Sequence, residues 1–98
     1  MMVELLTAAM FENKVGQAFV LEEPGAAPTE LTLAEVKPLK NYANLARAPF
    51  SLIFTTQGAA VLPQRMYELR HAALGTQAFF LVPVGKKDDV VSYQAIFN

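Results

Sequence analysis

The chain has no cysteine, no tryptophan and a single histidine, His71. Without thiols there is no disulfide, no thiolate ligand and no cysteine nucleophile, which fits a reducing compartment and sets a cytoplasmic location as the expectation. One histidine without cysteine leaves only scattered carboxylates to hold a metal, so no metal site is assigned. Charge is scarce as well. Asp, Glu, Lys and Arg make up 17% of 98 residues, against roughly 25% in ordinary soluble domains, and they cancel to a net −1. With no basic stripe, the phosphate-neutralising attraction behind nucleic-acid binding and docking on anionic membranes is missing. The longest apolar run, Phe79–Val84, is far too short to span a bilayer. The opening Met1-Met2-Val3-Glu4 has no basic region and no long apolar stretch, so it does not read as a secretory signal. No two glycines stand as G-x-G to cradle a phosphate, and no G-x-S-x-G elbow exposes a serine. The chain is therefore expected to be neither an enzyme nor a cofactor binder.

What the chain has in quantity is apolar residues, 53% of the total. That excludes disorder and implies one domain over residues 1–98. Residues 3–16 form its N-terminal helical segment. Thr7 is placed as N-cap, Leu6 and Phe11 as a hydrophobic staple, and Ala8, Phe11 and Val15 on one face of two turns ending at Gly16. Residues 17–98 read as strands. Gln17–Glu23 and Thr29–Leu39 alternate, the second losing its parity at Ala34-Glu35, where a bulge would return Val36 to the core side. Lys40–Ala48 is a connection. Pro49–Thr56 sets Phe50, Leu52 and Phe54 inward and Ser51, Ile53 and Thr55 outward. Gln57–Pro63 is a loop with an apolar tip, Ala59–Leu62. Gln64–His71 and Gln77–Gly85 form a hairpin, and Val90–Phe97 follows the polar turn Gly85–Asp89. Links this short leave no room for crossover helices. The fold class is mainly β: an antiparallel six-stranded small barrel or sandwich with one short N-terminal helix.

Phe79–Val84 is apolar on both parities, and a strand of that kind needs cover on both faces. Phe50, Leu52, Phe54, Tyr67, Leu69 and Tyr93 can cover one. For the other the chain offers only the Leu6–Phe11–Val15 helix; otherwise a second subunit must supply it.

Few polar residues invite a role. His71 ends a strand before a turn, where an acid–base function is conceivable, but a hydrogen-bonded turn histidine is the commoner case. Arg47, Gln64 and Arg65 border prolines and apolar strands, where such side chains tie up loop carbonyls or meet a partner. Glu22-Glu23 should point to opposite faces, and Asp88-Asp89 reads as a solvated tip. The aromatics, lacking a positive groove, read as core rather than base-stacking platforms.

Several segments together resemble a family of short bacterial proteins described only as a domain of unknown function. They are Leu31–Val36, Arg47–Phe54, Leu62-Pro63-Gln64 with Tyr67, Leu69 and His71, Leu74-Gly75, Phe80–Gly85, and Tyr93, Ala95, Phe97 and Asn98. The family pattern has Gly-Thr where this chain has Arg65-Met66, and a proline in the turn that here holds Ala72-Ala73. The resemblance implies an association with phage-tail-like or tail-collar-like gene products and hence a structural role. The resulting expectation is a non-enzymatic structural or protein-interaction module, self-associating as a homo-oligomer or docking on a protein partner. An alternative is a small barrel with an apolar ligand inside, and a hydrolase built on His71 is a third.

Overall fold

The computed structural model describes residues 6–25, 27–42, 44, 48–58 and 61–97. Six antiparallel strands close into a barrel: β1 (Ala18–Leu21), β2 (Thr29–Pro38), β3 (Phe50–Gln57), β4 (Arg65–His71), β5 (Gly75–Lys87) and β6 (Val90–Phe97), in the order β1-β2-β3-β6-β5-β4. Closure resolves the choice between barrel and sandwich. A six-stranded barrel is narrower than the eight-stranded kind that side chains just fill, so its interior belongs to side chains. Phe19, Leu31, Leu33, Phe50, Leu52, Phe54, Leu69, Phe79, Leu81 and Tyr93 point inward and are fully buried. Each follows from period-two alternation along its strand.

The bulge expected in β2 is present. Register shifts between Leu33 and Glu35, Ala34 is the extra residue, and Val36 comes to pair with Leu52 and pack on the core. A second bulge lies in β5 between Pro83 and Gly85, with Val84 as its extra residue. Proline cannot donate to the ladder, which accounts for the interruption there. β5 also continues through Lys86 and Lys87, which pair with Val91 and Val90; the polar turn is only Asp88-Asp89, with Asp88 at φ 57°. Ser51 departs from its expected exposure. It lies on the outward parity of β3, between Lys37 and Ile96, yet is only 3% exposed.

The helix is shorter than its sequence pattern. Helix α1 is Ala8–Glu12, one turn and a half; Thr7 is extended at its N-cap and makes no side-chain cap bond. Residues 13–16 form a turn instead. Gly16 at φ +89° donates to the Leu33 carbonyl, and Leu33 donates back to Gln17, so sheet pairing takes over before a second helical turn can form. Val15, assigned to the core face, is 49% exposed. What α1 delivers is Phe11, fully buried in the barrel mouth. Its ring lies 5.9 to 6.4 Å from those of Phe19, Phe50, Phe79 and Phe97. Burying a side chain of this size is worth roughly 1.5–3 kcal/mol. The helix is thus a plug in one end of the barrel and does not lie over the outside of β5.

The opposite end is closed by loops. Tyr67 Oη donates to the Pro63 carbonyl at 2.6 Å, and Tyr93 Oη accepts the Leu62 N–H at 2.9 Å. Gly58 N–H reaches the Asp89 carbonyl at 2.8 Å. Leu62 is thereby drawn in against the core while Val61 stays exposed. Ala59 and Ala60, the rest of the expected apolar tip, lie outside the described residues.

Candidate protein-interaction face

With Tyr67, Leu69, Phe79, Leu81, Tyr93 and Ala95 turned inward, the pleat turns Met66 and Glu68 of β4, Phe80 and Val82 of β5, and Gln94 and Ile96 of β6 outward. Met66 pairs directly with Phe80. Val82 pairs with Gln94, and Phe79 and Phe97, three residues further along the same register, bring their rings to 5.8 Å on the inside. The same register sets Ile96 beside Phe80 on the outside. The bulge adds Val84. Met66 is 55% exposed, Phe80 44%, Val84 52% and Ile96 52%, with Val82 half-buried among them. Single exposed apolar residues are ordinary, whereas contiguous ones on three adjacent strands mark contact surfaces. Nothing described covers them.

Charges frame this strip without entering it. Arg70, on the outer face of β4, pairs with Glu22, and Arg65 pairs with Glu23 at 2.5 Å while lying 4.3 Å from the centroid of the Tyr67 ring. The two adjacent glutamates therefore serve different arginines. Both bridges cross from the residues that follow β1 to β4, where the β1–β4 ladder has only two residue pairs, Val20–Arg70 and Leu21–Leu69. The hydrogen bond that Arg65 donates to Glu23 raises the Arg65 pKa above its ordinary value, and burial raises that of the Tyr67 phenol. All four charged side chains of these bridges are largely solvated, and such pairs contribute little to stability.

His71 is at the plugged end and is 5% exposed. Its Nδ1 accepts the N–H groups of Ala73 (3.0 Å) and Leu74 (3.2 Å), and its Nε2 lies 2.6 Å from Gln17 Oε1. Two donors aimed at Nδ1 fix the neutral tautomer with the proton on Nε2, which then donates to Gln17. Burial lowers the His71 pKa, and the nearby Lys14 cation lowers it further. The ring lies tilted at 32° against that of Phe19, with 4.6 Å between centroids. Both nitrogens are committed to backbone and amide partners, so the side chain staples the β4–β5 turn to the segment leaving α1.

The polar residues singled out in the sequence are not brought together. Arg65 and His71 stand at opposite ends of β4, about 20 Å apart at roughly 3.3 Å per residue. Gln64 is exposed at the bend before β4. Arg47 lies outside the described residues. Among the described residues no three His, Asp or Glu side chains gather to hold a metal, and no helix is long and apolar enough to cross a membrane. The outward residues Met66 and Ile96 escape sequence reasoning because each is one apolar residue on a polar parity. Phe80 and Val84 were visible in the two-sided run of β5.

The DUF6916 family model, described as a domain of unknown function, matches residues 6–97. No curated protein and no solved structure matches the chain.

Proposed function

We propose that this chain, which belongs to the DUF6916 family, is a non-enzymatic structural or protein-interaction module whose contact surface is the outer face of β4, β5 and β6. The observation that carries the reading is the uncharged strip Met66–Phe80–Val82–Val84–Ile96, laid across three rigid strands. A sheet holds such a surface in place, so little ordering entropy opposes docking. Further support comes from His71, whose two ring nitrogens are taken up by structural hydrogen bonds. The family resemblance read in the sequence implies an association with phage-tail-like gene products, and an assembly of that kind would provide a docking partner. The alternative of an apolar ligand inside the barrel is less well supported, because the Phe11, Phe19, Phe50, Phe54 and Phe79 rings occupy the interior it would need.

The test is the native size of the protein in freshly lysed cells of its source. The wild-type chain should migrate in a species larger than its own 10.7 kDa. Phe80→Asp should reduce it to the bare chain, and Thr32→Asp, on the polar outer face of β2, should not. Wild-type protein found only as the single chain would refute the reading.

A further inference from the structure

We propose that the occupant of this strip is a second copy of the chain, docked face to face about a two-fold axis that crosses β5 at Val82. The inference rests on the reading of this face as a contact surface and adds the identity and geometry of the partner.

The support is that the strip is complementary to itself in shape and in charge about one point. Val82 stands opposite Gln94. Two ladder steps toward the plugged end is Phe80; two steps toward the other end is Gly85, opposite Ser92, because the bulge at Val84 takes up one residue. Four steps one way is Ala78, whose neighbour on β4 is Glu68. Four steps the other way is Lys87, opposite Val90. At about 3.3 Å per step these levels lie roughly 7 and 13 Å on either side of Val82. An axis lying between the two faces, perpendicular to β5 at Val82, exchanges each level with its opposite.

Phe80 of one copy is then set over Gly85 of the other. Gly85 is a vacancy in shape: a Cβ there would meet nothing within 4 Å, and its backbone lies outside the left-handed region that demands glycine. A large ring that protrudes and a residue with no side chain are what an isologous contact repeats on both sides. The same operation sets Lys87 over Ala78 of the second copy, one strand away from Glu68. That offset is about 4.8 Å, within the reach of a lysine side chain. Among the described residues neither Glu68 nor Lys87 takes part in an ion pair, while Arg70, the cation on the same face of β4, is held by Glu22. Asp88 and Asp89 fall beyond the strip, in the hairpin turn. Shape and charge thus select the same axis independently.

Charge reversal tests it. In Glu68→Lys both contacts of the pair become lysine against lysine, and in Lys87→Glu both become glutamate against glutamate. Like-charge contacts of this kind should weaken self-association at least roughly tenfold. An equimolar mixture of the two variants restores both contacts in a mixed dimer. Sedimentation equilibrium of the purified full chain should give twice 10.7 kDa for the wild type. Each variant alone should sediment as a monomer, and the mixture should return to the dimer mass. Recovery on mixing also shows that both variants are folded. A purified wild type that stays monomeric, variants that dimerise as the wild type does, or a mixture that stays monomeric would each overturn the proposal. If any of these were found while the native species in cells remained larger than one chain, the partner would be a different protein and the contact-face reading would stand.

Discussion

Phe11 carries more of the fold than any other single side chain of the N-terminal segment. It is the only residue of α1 that is fully buried, and four other rings close around it. Phe11→Ala should cost about 3–5 kcal/mol, the range for removing a large core ring. Val15→Ala, on the exposed turn, should stay within about 0.5 kcal/mol. Equilibrium denaturation of the two variants separates them, and equal costs would mean that α1 does not seat as a plug. His71 makes a second prediction at this scale. Its folded-state pKa is depressed, so the unfolded chain takes up a proton first as acid is added. Its contribution is complete above the unfolded value near 6.5 and is lost as pH falls from there through the lower folded value. Protonation also puts a hydrogen on Nδ1 facing the Ala73 and Leu74 N–H groups. Denaturation midpoints should therefore drop between pH 7.5 and 5.0, and His71→Gln should start lower but lose less over the same interval.

At the scale of elements, the ends of the barrel differ in how they are sealed. One is sealed by a side chain on a short helix, the other by two buried tyrosines reaching loop backbone. Tyr93→Phe removes the acceptor of the Leu62 N–H and should cost about 1–3 kcal/mol. Amide exchange at Leu62 should accelerate while that of the β3–β6 ladder keeps its order. Unchanged Leu62 exchange would show that the loop is held by packing alone. The elements also show what the sequence could and could not disclose. The β2 bulge was legible because polar and apolar residues alternate there, so that Val36 on the wrong parity exposes the extra residue. The β5 bulge was hidden because Phe79–Val84 is apolar at every position and parity carries no information; only Pro83 hinted at a break. Lys86 and Lys87 looked like part of a turn because charge clusters there, yet cross-strand partners on β6 extend the strand through them. The local 3.6-residue pattern runs past the end of the helix because it is blind to the competing Gly16–Leu33 and Leu33–Gln17 bonds, which depend on a strand distant in sequence. The Arg65–Glu23 and Arg70–Glu22 bridges span more than forty residues and leave no local mark.

At the scale of the molecule, closure gives every strand a neighbour on both sides, although β4 meets β1 in only two residue pairs. What distinguishes one side of the barrel from another is then the outward parity of its strands. β2 and β3 present Glu30, Thr32, Thr55 and Gln57, while β4, β5 and β6 present Met66, Phe80, Val84 and Ile96. The two-sided strand that the sequence predicts to need cover has its outer side bare among the described residues, since the helix fills the barrel mouth instead. A chain with this little charge gains nothing by leaving that side in water, and on the proposed reading another protein surface covers it. The most direct measurement is site-specific photocrosslinking in the cell, with a photoreactive phenylalanine analogue at position 80 and, separately, at position 32. Discrete protein adducts are expected from position 80 and none from position 32. Adducts absent from both positions, or equally abundant from both, would contradict that reading.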